Sequence, residues 1–395
     1  MNTRLRCFCQ LGDLAGDAGF LSATRQHLHQ HPELSFQEAD TAALVAQHLQ
    51  DWGWSVTRGV GGHGVVGTLR AGASARSVAL RADMDALPIA EATGKPYASR
   101  HTGVMHACGH DGHTTMLLGA AQQLARTRNF DGTVHVVFQP AEEAGQGSGA
   151  QRMIEDGLFD RFPCDAIFGL HNNPGVPAGS FGFGSGPFMA ACDTAHITIL
   201  GRGGHAARPH QTVDPVLIAG SLVMALQSVV ARNVEPRQTA VVTVGMLHAG
   251  TAPNVIPDTA TMSLSIRSFD PAVRDQLQAR ITALVTAHVQ GYGGEVRIDY
   301  ERGYPVLVNS DAETAFARQV AEELVGPGRV IAPFPPVPGS EDFAYYLLHK
   351  PGCFLRLGNG EGGAMLHHPK YDFNDDVLTV GAEYWTRLVE RYLEA

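Results

Sequence analysis

Several short segments of this chain carry side chains that bind metals or transfer protons, and MHACGHDGH (105–113) is the clearest of them. It places Cys108 and His110 two positions apart in a glycine-containing loop, just before a helical pattern. Thiolates and imidazoles are the side chains that bind borderline-soft divalent metals. A loop cysteine beside a histidine at a helix start, with no metal, is the alternative that this spacing alone leaves open.

A pair of adjacent carboxylates, Glu142 and Glu143, occurs in the segment FQPAEEAGQG (138–147). Both residues follow an apolar strand pattern and enter a glycine-rich loop, and ligand sites form at the carboxyl ends of strands in open α/β sheets. One carboxylate could bind a metal while its neighbour accepts a proton from a metal-bound water. Neighbouring glutamates on a loop are otherwise ordinary surface charge, and their position at a strand end favours the functional interpretation.

Three further segments place histidines or aspartates after hydrophobic strand patterns or in loops. IFGLHNNP contains His171, and MLHHPKYDFND contains His367 and His368 before a proline. RADMDALP contains Asp83 and Asp85, again at the end of a strand pattern. Each of these residues alone could be an ordinary core or surface side chain, and only several of them meeting in space would indicate a site.

Metal-binding side chains from several segments are all predicted to lie in loops that meet at the carboxyl edge of one sheet. The five candidates are Cys108, His110, Glu143, His171 and His367. Five nitrogen, oxygen and sulfur ligands exceed the four of one closed tetrahedral site and suit two metals that share a ligand.

The elements that must position these residues alternate between strands and helices in the first half of the chain. Strand patterns at 65–70, 77–85, 133–140 and 166–170 alternate with helical patterns at 14–31, 113–128 and 148–156. Short connections between alternating strands and helices predict a mostly parallel sheet with flanking helices, in the α/β class.

A glycine- and proline-rich segment, 174–187, predicts a crossing into a second domain. Beyond it, two strand–helix–strand units predict an inserted α+β sandwich, after which the chain returns to the first domain. We therefore predict a catalytic metal-binding domain made of 1–187 and 303–395, with an inserted domain over 188–302.

Composition excludes several classes of protein. A length of 395 residues, with 44% hydrophobic and 17% charged residues, predicts one large or two smaller domains with a sizeable core. The formal net charge is −10, whereas nucleic-acid binders normally carry a positively charged surface. We expect no apolar run to reach the roughly 18–20 residues that cross a bilayer. The first residues also lack the apolar stretch of a secretion signal.

The six cysteines are too few and too scattered to stabilise a chain of this length by disulfides. We therefore expect reduced thiols and a cytoplasmic location. Cys7 and Cys9 have the spacing of a metal pair, but no other segment complements them. Cys164, Cys192 and Cys353 are predicted to be structural.

In its ordered motifs, the chain resembles the amidohydrolases of the aminoacylase/carboxypeptidase metallopeptidase family, in the branch of hippurate hydrolases and indoleacetyl-amino-acid hydrolases. The similarity covers nearly the whole chain, from HQHPELSFQE (29–38) to HHPKYDFND. Seven motifs recur in order: RADMDALP, HACGHDGH, FQPAEE, GLHNNP, GGHAARPH, APNVIPD and GSEDFAYY. Seven ordered motifs are far more specific than any single one.

The resemblance implies a di-metal catalytic domain with an inserted lid domain that also forms a dimer. It implies that Glu142 is the general base and that a cysteine replaces the aspartate ligand of other members. The metal ligands implied are Cys108, His110, Glu143, His171 and His367.

Two motifs need a closer comparison with the family pattern. Asp85 matches an aspartate that orients a ligand histidine in other members, but Asp83 stands where those members have a histidine. Of the two histidines before the proline, the pattern assigns His367 as the ligand and His368 as its neighbour.

The resemblance also assigns residues outside the metal-binding motifs. In related enzymes a histidine at the position of His205 crosses the dimer interface and donates to the developing oxyanion. Asn254 is a candidate contact for the substrate, and Arg267 for a substrate carboxylate. Glu341 and Asp342, at a predicted helix start, are candidates for an outer supporting role.

The predicted activity is hydrolysis of N-acyl or N-aroyl amino acids, such as hippurate, to a carboxylic acid and an amino acid. The predicted cofactors are two divalent ions, zinc or else manganese, cobalt or nickel. The predicted partners are a small-molecule substrate and a second copy of the chain, without nucleic acid or membrane. A dipeptidase or carboxypeptidase on the same scaffold, and a non-catalytic metal-binding protein, are the alternatives.

Overall fold

A computed structural model of the chain describes residues 8–394, so Cys7 lies outside the described residues. These residues form two compact units. The first unit comprises the chain up to Gly186, Val308–Pro335 and the chain from Asp342 onwards, and the second comprises Pro187–Leu307 and Pro336–Glu341. The predicted inserted domain, 188–302, falls inside the second unit.

Ten α-helices and sixteen strands occur within residues 8–394. The first part of the chain contains α1 (Ala18–Gln30), α2 (Ala39–Asp51), β1 (Ser55–Val60), β2 (Gly64–Ala71), β3 (Ser77–Asp83), α3 (His110–Thr127), β4 (Gly132–Gln139), α4 (Gly149–Glu155), α5 (Leu158–Arg161), β5 (Ala166–Pro174) and β6 (Phe181–Gly182). The middle part contains β7 (Gly186–Met189), β8 (Ala191–Leu200), β9 (Gly204–His205), α6 (Pro215–Asn233), β10 (Ala240–Ala249), β11 (Val255–Ile256), β12 (Thr259–Ser268), α7 (Pro271–Gly291), β13 (Glu295–Arg302) and β14 (Leu307–Asn309). The last part contains α8 (Asp311–Val325), β15 (Val330–Ile331), α9 (Phe343–Leu347), β16 (Gly352–Gly360) and α10 (Leu378–Tyr392).

The first unit is built on an eight-stranded sheet with the strand order β1-β2-β4-β3-β5-β16-β6-β15. The pairs β4–β3, β3–β5, β5–β16 and β6–β15 are parallel. The pairs β1–β2, β2–β4 and β16–β6 are antiparallel. The predicted α/β class is confirmed, and the sheet is mixed because a short turn such as the one between β1 and β2 allows only antiparallel pairing.

The central strand β3 brings the first of the candidate site residues to the edge of the sheet. All seven of its residues are buried, and its sequence SVALRAD is nearly continuous in apolar side chains apart from its end. Strands with parallel neighbours on both sides have this composition because both faces of the sheet are covered. Since β3, β4 and β5 run in parallel, their carboxyl ends lie at the same edge.

Two predicted boundaries near the site were wrong. α3 begins at His110 and not at His113, and β5 continues to Pro174, past the predicted 166–170. β5 extends because β16, Gly352–Gly360, pairs with it in parallel from Ile167 to Pro174. This pairing joins segments that are distant in sequence, so the local pattern of residues does not show it.

α3, which carries His110 at its first residue, is buried along most of its length. Met116, Leu117 and Leu118 are fully buried, and α1 and α10 pack against the helix. Burying an apolar side chain of this size contributes about 1.5–3 kcal/mol. The helix therefore provides a fixed base for the residue at its start.

The second unit contains a four-stranded antiparallel sheet with the order β10-β12-β8-β13. The residues of β12 alternate between exposed or half-buried and buried positions, as expected for a sheet with one covered face. Helices α6 and α7 supply Leu222 and Leu277 to the core on that face. Each helix starts at an aspartate–proline pair, in which Asp214 or Asp270 accepts two backbone N–H groups of the first turn. This arrangement is the predicted α+β sandwich.

Helix α6 corrects the expectation that no apolar run reaches membrane-spanning length. By length and composition alone it could cross a bilayer, with a mean hydropathy of 1.6. Its Ile218, Leu222, Leu226 and Val229 are buried in the core of the second unit. Its opposite face exposes Val216, Leu217 and Met224.

A buried histidine in β4 predicts a pH dependence of stability. His135 lies 2.9 Å from Thr68 Oγ1 through its Nδ1 atom and 3.2 Å from the Pro163 carbonyl oxygen through its Nε2 atom. Burial lowers the pKa of His135 to about 4. Between pH 6.5 and 4 the unfolded chain therefore binds more protons at this residue, and the associated stability, complete above pH 6.5, is lost as the pH falls.

We expect the free energy of unfolding to fall between pH 7 and pH 4 by about 3 kcal/mol more in the wild type than in His135→Gln. Urea unfolding curves of both proteins at several pH values measure this difference. Curves that shift in parallel with pH would contradict the prediction.

Candidate metal centre

The five predicted metal ligands lie at the carboxyl edge of the eight-stranded sheet and come from four segments of the chain. Cys108 is in the loop before α3, and Glu143 is in a short 3-10 turn after β4. His367 is in the loop after β16. The expectation that all five lie in loops was wrong for two of them, because His110 begins a helix and His171 lies inside the extended strand β5.

The structure brings these side chains into direct contact. Cys108 Sγ lies 3.3 Å from His171 Nε2, and His367 Nε2 lies 3.2 Å from Glu143 Oε1. The backbone N–H of His367 donates to the Ala107 carbonyl oxygen at 2.8 Å. This last bond ties the loop that carries His367 to the loop that carries Cys108.

The ligand atoms form two overlapping groups. Those of Cys108, His110 and His171 lie within 4.8 Å of one another, and so do those of Cys108, Glu143 and His367. Both groups contain the Cys108 sulfur. This geometry fits the expectation of two cations that share one ligand.

Neighbouring groups fix which nitrogen atom each buried histidine presents to the site. His171 Nδ1 donates to the Asn172 carbonyl oxygen at 2.7 Å, and His110 Nδ1 donates to the Asp85 carbonyl oxygen at 2.9 Å. Metal-binding histidines are commonly oriented through their second nitrogen in this way. His110 Nε2 is buried without a hydrogen-bond partner among the described residues, as expected of a metal-binding atom.

The electrostatic environment of Cys108 also fits a cation. Burial raises the pKa of the Cys108 thiol well above its usual range, and the charges of Glu143, Glu142 and Asp83 raise it further. A bound divalent ion compensates such charges and favours the thiolate. Thiolate, imidazole and carboxylate together form a donor set suited to zinc and neighbouring transition metals.

The glycine between Cys108 and His110 is required by the geometry of this loop. Gly109 has a φ of +93°, a backbone conformation that other residues rarely adopt. A Cβ atom at this position would lie 2.5 Å from Asn172 Oδ1. A larger residue would therefore displace the two ligands on either side.

Asp85 contacts both His110 and the backbone of Glu143. Its Oδ1 atom is 3.2 Å from His110 Nδ1, and its Oδ2 atom accepts the backbone N–H of Glu143 at 2.9 Å. Although burial opposes the effect, the hydrogen bond with His110 lowers the pKa of Asp85. Asp85 thus connects two of the predicted ligands.

Asp83 supports the site through residues that sequence reasoning did not single out. Its carboxylate accepts from Arg81 Nη1 at 2.6 Å and from His113 Nδ1 at 2.7 Å. His113 Nε2 in turn accepts the backbone N–H of Asn172 at 3.0 Å. His113 stands one helical turn after His110 in the same motif, and this spacing could have identified it.

Glu142, the predicted general base, lies beside the ligands. It is 5% exposed and precedes Glu143 in the 3-10 turn Glu142–Ala144. A carboxylate oxygen of Glu142 lies within 4.8 Å of ligand atoms of His110 and Glu143. This position allows a proton to be exchanged with a group held at the metal centre.

The remaining candidates of the first unit lie outside the ligand cluster. His368 Nδ1 accepts the backbone N–H of Lys370 at 3.0 Å in its own exposed turn. Asp342 is fully buried and accepts from Arg81 Nη2 at 2.9 Å and from the backbone N–H of Ala150 at 3.0 Å. Asp342 therefore anchors the arginine that pairs with Asp83.

Four predicted residues belong to the second unit. His205 is exposed in β9, where it pairs with Val255 of β11, and Asn254 directly precedes that strand. The structure thus brings His205 and Asn254 close together. Arg267 lies apart from them in β12, where its Nη1 atom donates to Ser340 Oγ at 3.0 Å. Glu341 is buried.

Comparison with known proteins shows close relatives over the full length of the chain. The hippurate hydrolase of Campylobacter jejuni is 43% identical over 97% of this chain and 98% of its own length. The N-acetyl-L-cysteine deacetylase of Bacillus subtilis is 41% identical over 95% of this chain and 88% of its own length.

A solved structure and a family model agree with these relatives. The YXEP protein of Bacillus subtilis, described as a dinuclear metal binding peptidase, has a TM-score of 0.83 and 33% identity. The alignment covers 96% of this chain and 99% of that protein. The model of peptidase family M20/M25/M40 matches residues 79–391. The chain therefore belongs to peptidase family M20/M25/M40, in its amidohydrolase branch of metal-dependent hydrolases.

Proposed function

We propose that this enzyme hydrolyses the amide bond of N-acyl or N-aroyl amino acids, with hippurate-like compounds as its substrate class. The observation that carries the proposal is the pair of ligand groups sharing the Cys108 sulfur, with Glu142 beside them. A site that only bound metal would have no need of a buried second glutamate next to its ligand glutamate. The hippurate hydrolase and deacetylase relatives support this substrate class.

Five residues would hold two divalent ions in this proposal: Cys108, His110, Glu143, His171 and His367. When bound, such ions lower the pKa of water and polarise an amide carbonyl group. The mixed donor set suits zinc, and also manganese, cobalt or nickel, whose selection depends on availability. The dinuclear centre of the Bacillus subtilis relative supports a count of two.

Glu142 would perform the proton transfers of the reaction. Its carboxylate accepts a proton from the attacking water and then delivers that proton to the nitrogen atom of the leaving amino acid. Asp85 and His113 would keep the histidine ligands in one orientation while this happens. The roles proposed for His205 as oxyanion donor, and for Asn254 and Arg267 as substrate contacts, rest on the family resemblance.

A hydrolysis screen tests the proposal. The purified enzyme, reconstituted with each metal in turn, is incubated with hippurate, N-acetyl amino acids, indoleacetyl conjugates and dipeptides. We expect turnover of N-acyl or N-aroyl amino acids. Preferential cleavage of dipeptides would instead support a dipeptidase or carboxypeptidase, and bound metal without any turnover would support a non-catalytic protein.

We also propose that the enzyme forms a homodimer through its second unit. β10 is an edge strand of the four-stranded sheet, and its Met246 and Leu247 are 54% and 43% exposed. The outer face of α6 exposes Leu217 and Met224, at 57% and 73%. Exposed apolar side chains beside an open strand edge favour association with a second copy, by pairing of equivalent surfaces.

Replacing Met224 with glutamate is expected to convert the dimer to a monomer, because the new charge would have to be buried in the interface. Sedimentation velocity measures the mass, which is expected to change from twice 42.1 kDa to that of a single chain. Leu348→Glu is the matched control, since Leu348 is similarly exposed, at 66%, in the first unit. A wild-type monomer would contradict the proposal.

The proposed location is the cytoplasm. Cys9, Cys108, Cys164, Cys192 and Cys353 are all free of disulfides. A chain with several unpaired thiols, most of them buried, is typical of a reducing compartment.

A further inference from the structure

The segment HPELSFQE (31–38), where the similarity to the family begins, contains none of the residues assigned to the site so far. It precedes α2, and its Glu33 carboxylate accepts the backbone N–H groups of Asp40 and Thr41 at the start of that helix. This bond explains one residue of the segment as a helix cap. Two other residues of the segment, Ser35 and Glu38, form hydrogen bonds near the site glutamates instead.

Glu38 is hydrogen-bonded to Ala141, the residue that directly precedes the two site glutamates. It is fully buried, and its Oε1 atom accepts the backbone N–H of Ala141 at 2.8 Å. The same oxygen accepts the backbone N–H of Phe36 at 2.9 Å. Its other oxygen has no hydrogen-bond partner among the described residues. The hydrogen bonds of this buried carboxyl group to other residues therefore go to two backbone positions, Ala141 and Phe36.

Both of these positions have unusual backbone geometry. Ala141 has a φ of +51° and Phe36 a φ of +63°, in the left-handed region that residues other than glycine rarely adopt. Such conformations persist only where surrounding contacts enforce them, and they concentrate at functional sites. Ala141 directly precedes Glu142. Its backbone conformation therefore sets the direction of the chain at Glu142 and Glu143, and with it the positions of their side chains.

Ser35 acts on the same turn from its other side. Its hydroxyl donates to Asp85 Oδ2 at 2.6 Å. That oxygen also accepts the backbone N–H of Glu143 at 2.9 Å, while the other Asp85 oxygen faces His110. Ser35 and Glu38 therefore contact the Ala141–Glu143 turn at its two ends. Glu38 binds the backbone of Ala141, and Ser35 binds Asp85, which in turn binds the backbone of Glu143.

We infer that Glu38, assisted by Ser35, is a positioning residue that holds the Ala141–Glu143 turn in its strained conformation. Glu38 thereby sets the positions of the proton-transferring Glu142 and the ligand Glu143 without touching either substrate or metal. This inference rests on the proposed roles of those two glutamates. It predicts that the acceptor atom of Glu38 matters more than its charge.

The test combines three variants of Glu38 and its turn, and uses Zn²⁺ affinity as a readout besides activity. Glu38→Ala is expected to lower Zn²⁺ affinity and kcat by about 10–100-fold each, as for other groups that orient metal ligands. Glu38→Gln keeps the acceptor oxygen and is expected to stay within about threefold of the wild type in both. Adding Ala141→Gly to Glu38→Ala is expected to restore part of both losses, because glycine adopts the left-handed conformation without strain.

Zn²⁺ affinity is measured by competition with a chromogenic chelator, and kcat with hippurate at saturating Zn²⁺. Glu33→Ala is the matched control, since it removes a helix cap from the same segment and should lower thermal stability while leaving Zn²⁺ affinity unchanged. Ser35→Ala, which removes only a hydroxyl group and should also weaken Zn²⁺ binding, serves as the test if Glu38→Ala does not fold.

The outcomes separate this inference from the proposed function. Wild-type Zn²⁺ affinity in Glu38→Ala and in Ser35→Ala would overturn the inference, as would equal losses in Glu38→Gln and Glu38→Ala. A wild-type enzyme that binds Zn²⁺ but hydrolyses no N-acyl amino acid would overturn the proposed function alone. The positioning role would then still be decided by the Zn²⁺ affinities.

Discussion

Replacing Glu142 with glutamine is expected to lower kcat for N-acyl amino acid hydrolysis by at least about 100-fold while the metals stay bound. Glutamine has nearly the same shape as glutamate, so the buried 3-10 turn that carries this residue should keep its structure. An amide group cannot accept the proton of the attacking water or return it to the leaving nitrogen atom. The loss should therefore fall on kcat, with KM little changed.

Steady-state kinetics, together with elemental analysis of the bound metal, measure this effect. Glu155→Gln is the matched control, because Glu155 is an exposed glutamate of α4 in the same unit and should tolerate the change. A Glu142→Gln enzyme with full metal content and near wild-type turnover would show that another group accepts the proton. An enzyme that loses its metal would place Glu142 among the ligands instead.

The proposed metal ligands are the residues that the sequence alone could predict. Glu143 and His171 follow or end apolar strand patterns, and Cys108 and His110 precede a helical pattern. Parallel strands direct their carboxyl ends to one edge, so strand patterns alone predict that such residues meet. The type of each side chain then supplies the chemistry.

The supporting residues were harder to predict because their partners are distant in sequence and chemically ordinary. Arg81 pairs with both Asp83 and Asp342, and Asp342 lies 261 residues after Arg81 in the chain. Glu38 binds a backbone N–H group at Ala141, and no side-chain pattern marks such an acceptor. These contacts exist only once the sheet has formed.

Contacts that form only in the folded chain also involve Asp83, which stands where relatives are expected to have a histidine. Its carboxylate pairs with Arg81 and His113, both of which are buried. Although burial opposes the effect, the charges of His110 and Arg81 lower the pKa of Asp83 well below its usual range. An ionised aspartate at this position therefore fixes the orientation of His113 through the hydrogen bond that it accepts from His113 Nδ1.

Replacing Cys108 with alanine is consequently expected to have the largest effect on metal binding. The Cys108 sulfur belongs to both ligand groups, so its removal weakens both cation positions at once. If four ligands share about 10–16 kcal/mol of zinc binding free energy, one ligand contributes roughly 3 kcal/mol, or about 100-fold in affinity. We expect at least this loss of Zn²⁺ affinity, measured by competition with a chelator, and a matching loss of activity at limiting Zn²⁺.

A spectroscopic readout distinguishes the loss of a ligand from general damage to the fold. Cd²⁺ bound to the wild-type enzyme should show the ultraviolet charge-transfer absorption of a thiolate ligand, and this band should be absent in Cys108→Ala. Cys164→Ala is the matched control, because Cys164 is also a buried thiol of the first unit but is not part of either ligand group. It should keep both the band and the Zn²⁺ affinity. If Cys108→Ala bound Zn²⁺ as tightly as the wild type, Cys108 would not be a shared ligand, and the proposed arrangement of the metal site would be wrong.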